Sequence, residues 1–548
     1  MKRRDWLAAA AGLPWLSSCA PAASALPGGF QGMAFERGHL LRDPAQRWPA
    51  PAVSRRVGAL VLGAGIAGLA AARALRQGGV DDLAVLELED QAGGNSRGTV
   101  LDGQPCPMGA HYLPVPSDDA PQVQALLEEL GLRRREAGRW VIDELHLCHS
   151  PQERLYFQGR WQDSLLPQQD VGPATLAQYR LFARRVGECQ RQARFVVPMA
   201  GQALAPLHLA LDALTFDDWL QREGLSDPQL RWYLDYCCRD DYGCGSSQVS
   251  AWAGIHYFAC RHGFHAPGDE EADDPGVLTW PEGNGWLAAR LAEPLQQGRS
   301  GPLFTGRVVL RIEAQRHGVL VDSWDCTARR VERWLAAHCV LALPVHVAAR
   351  VLSAPPDWVL GTARRWQHAA WVVANLHLSA PLQDRPGAAP AWDNVLYGQA
   401  DLGYVDAGHQ RLDPRPRPTV LSFYTALGST GAARRQLLEQ PWTHWLEQIQ
   451  TAYRSPHPDL MRHATRLAVT RHGHAMAVPV PGVLRHLAGL PGAVSSRGGL
   501  SLPAVLGEGR MGFAHGDWSG YSVFEEAFSR GHMAGWAAVR ALRGRSED

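Results

Sequence analysis

The sequence predicts a doubly wound α/β domain with a discontinuous α+β lobe built around it. Three observations carry that reading. Residues 59–62 are a short apolar run that leads directly into Gly63-Ala64-Gly65-Ile66-Ala67-Gly68, and an Ala-rich helical stretch follows over 69–75. A second apolar run, 83–86, ends in Glu87, at the spacing of the acid that meets ribose hydroxyls in a βαβ dinucleotide site. Strand-and-helix patterns of the same kind return only around 279–350 and 465–545, so other material is inserted between the pieces. At 548 residues the chain buries a large core and exceeds one lobe.

Each glycine has a separate task in such a unit. Gly63 permits the tight turn, Gly65 lets backbone approach a pyrophosphate, and Gly68 lets helix and strand pack closely. The helix N-terminus adds partial positive charge for the phosphates. Gly93-Gly94-Asn95 follows shortly after the acid, then Pro107-Met108-Gly109-Ala110-His111-Tyr112, and far downstream Phe513-Ala514-His515-Gly516-Asp517-Trp518-Ser519-Gly520-Tyr521. Together these motifs resemble those of the flavin-containing amine oxidase superfamily. The resemblance spans roughly residues 57–540, and its specific motifs lie near the two ends of that range. It implies FAD as cofactor, held by Gly63, Gly65, Ile66, Ala67, Gly68, Glu87, Gly93, Gly94, Asn95, Arg97, Gly109, Ala110, His111, Val309, Gly516 and Asp517.

Taken in order, the elements are these. Lys2-Arg3-Arg4-Asp5-Trp6-Leu7 resembles a twin-arginine export motif, residues 6–16 form a short apolar segment, and Leu16-Ser17-Ser18-Cys19 resembles a lipobox. Residues 1–19 are therefore expected to be an export signal that leaves a lipid-anchored periplasmic protein. Residues 20–55, rich in Ala, Pro and Gly, are expected to be a tether. The FAD domain is assigned to 56–115, 270–350 and 465–545, and the substrate lobe to 116–269 and 351–464. Helical patterns are expected near 123–132, 176–191, 226–236 and 442–453, and strands near 307–312, 318–322, 338–344, 371–378 and 419–425. No run later in the chain reaches the length of a membrane-spanning helix.

Gly507-Glu508-Gly509-Arg510-Met511-Gly512 also fits the three-glycine spacing, but Pro503 breaks the run before it and a strand-like run follows it. It is not expected to bind a nucleotide, so electrons should leave the flavin for oxygen, a quinone or another carrier. Formal net charge is zero, which gives no basis for nucleic-acid binding. Cysteines show no repeated metal-ligand spacing, and no metal is expected. Disulfides, if formed in an oxidising compartment, are expected among Cys237, Cys238, Cys244 and Cys260; most other cysteines read as small buried apolar residues.

Two residues are candidates to face the substrate. The resemblance gives Tyr521 as one aromatic wall before the flavin. His474 stands where some members carry a cysteine bonded to the flavin; Ala475 follows where the second aromatic wall would be. Asp240 and Asp241, near an aromatic run containing Trp252, His256, Tyr257 and Phe258, can attract a cationic amine or lie at a solvated helix end. Arg261 and His262 are further cavity candidates. Lys2 is the only lysine, so the lysine that many family members place against a flavin-bound water is absent. Asn375 and His377 occupy its expected region. The leading expectation is hydride transfer from an amine or polyamine C–N bond to FAD. The alternatives are a dehydrogenase or desaturase acting on C–C or C–O bonds with a membrane electron acceptor, and a non-catalytic flavin-bearing accessory protein.

Overall fold

A computed structural model of the chain describes residues 26–43, 46–261, 263–269, 276–297, 301–413, 415–496 and 499–544. The expected export signal and His262 lie outside these residues. Two eight-stranded sheets organise the fold.

The first sheet grows around Val53–Leu62, whose last four residues are buried. This strand runs parallel to Leu83–Leu86 on one side and to Arg330–Leu341 on the other. Leu303–Phe304 extends the parallel set past Leu83–Leu86, and Met511–Phe513 joins the far end of Arg330–Leu341. A parallel sheet is covered on both faces, so its strands read as continuous Val, Leu and Ala rather than as an alternation. Ile66–Gln77, Gly285–Gln296 and Phe524–Arg543 bring Leu69, Leu75, Leu287, Leu291 and Phe528 into one apolar cluster with these strands. Arg330–Leu341 serves two partners along its second edge. Its first half pairs with the antiparallel hairpin Arg307–Gln315 and Gly318–Asp325, its second half with Met511–Phe513. The second glycine motif is a β-hairpin, Leu506–Glu508 against Met511–Phe513, so no helix N-terminus faces it.

The second sheet has the order Gly28–Gln31, Ala464–Ala477, His368–Leu378, Thr419–Gly428, Tyr404–Asp406, Asp393–Leu396, Glu153–Phe157, Arg160–Asp163. Its centre, His368–Leu378, is buried along its whole length. Trp442–Tyr453 packs Trp445, Leu446 and Ile449 into the cluster that also holds Leu376 and Leu378. Beside the sheet, Pro173–Gln192, Phe216–Arg222, Pro228–Tyr242 and Ala251–Ala259 form a helical layer that buries Phe182, Phe216 and Phe258 together.

Several expectations change. The tether does not extend through residue 55: Gly28–Gln31 pairs in parallel with 467–470, Phe35–His39 is a helix, and Val53 already belongs to the first sheet. Ala34 N–H donates to the Glu89 carboxylate and Arg37 pairs with Asp90, so this segment is fastened to the nucleotide domain. Ala464–Ala477, assigned to the FAD domain from residue 465 onward, is instead a central strand of the second sheet. The inserted 116–269 region carries its own strands besides helices. Cys237, Cys238, Cys244 and Cys260 are free thiols, as are the other described cysteines. No helix among the described residues is long and apolar enough to cross a membrane.

Candidate active site

The nucleotide cradle is set by positions where a side chain has no room. Gly63 adopts φ +91°, and a Cβ on Gly68 would overlap the Gly63 carbonyl. Gly65 caps Ile66–Gln77 without a side-chain cap and without an acid in the first turn, and the first intrahelical bond is Leu69 N–H to Gly65 O. The amides of Ile66, Ala67 and Gly68 thus precede the helical ladder, as an anion-binding N-terminus requires. A Cβ on Gly65 would meet only Gly94 Cα, so the space above it is open. Gly93 and Gly94 both have positive φ and lie against Gly65 through a β-bridge and the Gly93 N–H to Ala64 O bond.

Glu87 ends Leu83–Leu86 and accepts from Ala64 N–H at 2.6 Å and Glu89 N–H at 2.9 Å. Burial raises its pKa, while these two amides and Arg97 act in the other direction. Arg97 donates to Gly94 O and lies 3.6 Å from Glu89. Val309 sits at the irregularity in Arg307–Gln315, buried in the apolar core, next to the Arg307 N–H bond to Glu87 O. An open, glycine-lined helix N-terminus with an acid at the second strand fits the diphosphate and ribose of FAD.

Asn95 joins this cradle to the second sheet by donating to Ala475 O at 2.7 Å. His474, one residue earlier, is exposed and stacks on His346 at 4.3 Å. Partial desolvation against the protein, then His346 and Arg434, lower its pKa, so it is a neutral imidazole at physiological pH. His346 and His368 also surround Asp517, which accepts from Val345 N–H at 2.9 Å and lies 3.0 Å from His368 Nε2. Among the described residues, His346, His368 and Asp517 bring possible metal-ligand atoms within 4.8 Å of one another. The Asp517 carboxylate is already engaged by the Val345 amide, His368 and His515, and this charge-assisted set holds Asp517 well below the usual carboxylate range despite its burial.

Tyr521 is placed differently from its expected role. It is 1% exposed, donates to Glu526 Oε1 at 2.6 Å, and packs among Trp252, His256 and Tyr242. Glu526 also accepts from Met199 N–H and the Ser519 hydroxyl, and Arg530 donates to Ser519 and to the Trp518 carbonyl. Tyr521 belongs to a buried network that anchors the C-terminal helix, not to a wall open to substrate.

A separate aromatic cluster lies beside segment 107–112. The His111 ring lies 4.3 Å from Tyr424, tilted by 31°, and Trp392 lies 5.5 Å from His111 and 6.0 Å from Tyr112. Burial pushes His111 down to about 3, so it too is neutral. Beyond it lie Tyr112, Tyr233, Tyr257, Asp240, Asp393 and Arg261, all half-buried, where the charges of Asp240 and Arg261 act on the neighbouring phenols. Tyr233, Tyr236, Cys237 and Asp240 share one face of Pro228–Tyr242 by their three- and four-residue spacing. Asp240 is therefore not a solvated helix end. Burial and then the Asp241 charge raise it to about 7, while Asp393 is raised by burial and by Asp240 and Glu153. Asp241 pairs with Arg261 at 3.1 Å, and the guanidinium lies over the Tyr257 ring. Asn375, in the region of the missing lysine, is fully buried and donates to Pro107 O; His377 lies farther along, 2.5 Å from Thr465 Oγ1.

Sequence reasoning missed Asp393, Tyr233, Tyr424, His346 and His368. The stripe 233, 236, 237, 240 was readable as one helical face. Asp393 and Tyr424 arrive through pairing of distant strands, and no local pattern marks them.

Comparisons with known proteins define the class. Residues 66–430 match the flavin containing amine oxidoreductases, and the chain belongs to that family. It is a FAD-dependent oxidoreductase. Among solved structures, it is similar to putrescine oxidase bound to putrescine, at 16% identity and TM-score 0.62, over 90% of this chain and 100% of the other. It is similar to cyclohexylamine oxidase from Brevibacterium oxydans IH-35A, at 17% identity and TM-score 0.61, over 90% and 100%. A conjugated-linoleate-producing (CLA) fatty acid isomerase from P. acnes shares the fold at 16% identity and TM-score 0.55, over 88% and 98%. A search of curated proteins finds no match to the sequence.

Proposed function

We propose that the protein oxidises the C–N bond of a cationic amine, with a diamine or polyamine as the favoured class. The observation that carries this reading is the cluster in which Tyr112, Tyr233 and Tyr424 lie within the electrostatic reach of Asp240, and Tyr112 and Tyr424 within that of Asp393, with Tyr424 against His111. Rings and carboxylates attract an ammonium, and a desolvated site strengthens both attractions. FAD supplies the hydride acceptor; the carbon bearing nitrogen gives up the hydride, and the resulting imine is hydrolysed by water. The protein's own part is orientation. The aromatic rings of His111, Tyr424 and Trp392 fix the substrate plane, while Asp240, when ionised, holds positive charge away from the reacting nitrogen and Asp393, whose charge burial and Asp240 disfavour, offers a hydrogen-bonding oxygen. His111 and His474, both neutral, add no opposing cation. Oxygen or a quinone then takes the electrons.

Arg261 is a cation that would suit a carboxylate ligand, but its pairing with Asp241 engages it. The test is anaerobic. A panel of monoamines, diamines and polyamines is added to the flavoprotein while the flavin band near about 450 nm, a property of the cofactor, is followed. Bleaching by amines, strongest with diamines, is expected. A flavin that dithionite reduces and no amine bleaches would overturn the reading in favour of C–C or C–O chemistry.

We also read residues 1–19 as a twin-arginine signal ending at a lipidated Cys19, on the sequence Lys2-Arg3-Arg4 and Leu16-Ser17-Ser18-Cys19. On this reading the enzyme would work on the periplasmic side of a membrane, held there by the lipid on Cys19.

A further inference from the structure

Three side chains from three adjacent strands take hold of three successive carbonyls. Asn375 Nδ2 donates to Pro107 O at 2.8 Å, His472 Nε2 to Met108 O at 2.6 Å, and the Tyr424 hydroxyl to Gly109 O at 3.0 Å. The donors stand on His368–Leu378, Ala464–Ala477 and Thr419–Gly428 respectively. Register puts them on one face of the sheet. Tyr424 lies opposite Val373 and His472 opposite Trp371, so with Asn375 they fall at positions 375, 373 and 371 of the central strand. Asn375 stands on the middle strand, with His472 and Tyr424 on the strands to either side of it.

The clasped segment is the one that continues into Gly109 and Ala110, where a Cβ on Gly109 would overlap Asn95 O and where Ala110 N–H donates to the same oxygen. Asn95 in turn donates to Ala475 O. Segment 107–110 is thereby closed against both the glycine cradle and the second sheet. Two features make the clasp permanent. Burial pushes His472 down to about 4, so it stays neutral with its proton on Nε2, the nitrogen facing the carbonyl. Asn375 is fully buried and presents only its amide nitrogen to the backbone.

We propose that Asn375, His472 and Tyr424 are positioning residues that fix the depth of the 107–110 backbone against the flavin. Asn375 spends its amide donor on the Pro107 carbonyl and so acts here as a backbone anchor. The proposal rests on the FAD assignment and is independent of which substrate is oxidised.

The test uses flavin itself as the readout. Tyr424→Phe removes one hydroxyl and keeps the ring; Asn375→Leu and His472→Phe remove the other donors, and His472→Gln restores an N–H donor. Each purified variant is stripped of FAD and titrated with free FAD, and the band shape near about 450 nm is recorded with thermal unfolding. Loss of one clasp is expected to weaken FAD binding by about five- to tenfold and to alter the band shape, with His472→Gln restoring most of the effect. Unchanged FAD affinity and spectrum in Tyr424→Phe and in a folded Asn375→Leu variant would overturn the proposal, as would a loss of thermal stability with the flavin signals unmoved. Failure of amine turnover alone would bear on the substrate reading and leave these signals intact.

Discussion

At the scale of single residues, protonation decides which groups can do what. Asp240 takes up a proton near pH 7 because burial and Asp241 disfavour its charge. An ammonium needs the ionised carboxylate. Affinity for a cationic substrate should therefore be full above about pH 7 and fall as pH drops through that value. The pH dependence of KM for the best amine checks this. Asp240→Asn should raise KM by about tenfold at pH 8, the effect of losing one partly buried charge contact, and should flatten the profile below it. A KM that stays level from pH 6 to pH 8 in the unmodified enzyme would count against the role. Legibility at this scale is uneven. Gly63, Gly68 and Glu87 were readable because strand, turn and helix compress their requirements into some thirty residues. Tyr521 was misplaced because proximity in sequence to Gly516 and Asp517 does not say which way a ring turns; Glu526, one helical turn into the following helix, draws its hydroxyl inward.

Elements carry the next level of explanation. The helices and strands of the nucleotide domain announced themselves through apolar period and glycine placement. Gly28–Gln31 did not, because its four residues include two glycines and its sheet neighbour among the described residues is Leu467–Thr470, far along the chain. Its neighbours Ala34 and Arg37 reach Glu89 and Asp90 just past Glu87. Removing residues 26–43 from the folded protein is therefore expected to cost more than an edge strand. The truncated chain should unfold at lower temperature and also hold FAD less tightly, since Glu89, which pairs with Arg97 beside Gly94, loses its amide partner. Thermal unfolding followed by flavin fluorescence separates the two effects. Equal stability and equal flavin retention would mean that the segment is an ornament of the sheet edge.

For the whole molecule, the same strand changes the distance to the membrane. A tether through residue 55 would allow a long reach, whereas folded structure beginning at Gly28 leaves only residues 20–27 between Cys19 and the body. Eight extended residues span at most about 30 Å, so a lipid on Cys19 would hold the enzyme close to the surface. Incorporation of labelled palmitate by the full chain, lost in Cys19→Ser together with its membrane fraction, is the expected result; a soluble, unlabelled wild-type protein would remove the anchor. Division of the chain into lobes was only partly legible for a related reason. Ala464–Ala477 links the lobes, belonging to the second sheet by hydrogen bonding and to the flavin site through Ala475 and His472. A strand with two allegiances has no boundary that composition could mark.

The pairing of Gly28–Gln31 with Leu467–Thr470 has a consequence for how the chain is made. The N-terminal strand emerges first from the ribosome, and its partner emerges some four hundred residues later. Closing so long a loop must wait until nearly all of the polypeptide exists. A translation product that stops before Ala464–Ala477 therefore keeps its first strand unpaired, so this parallel pair records whether synthesis has passed that strand.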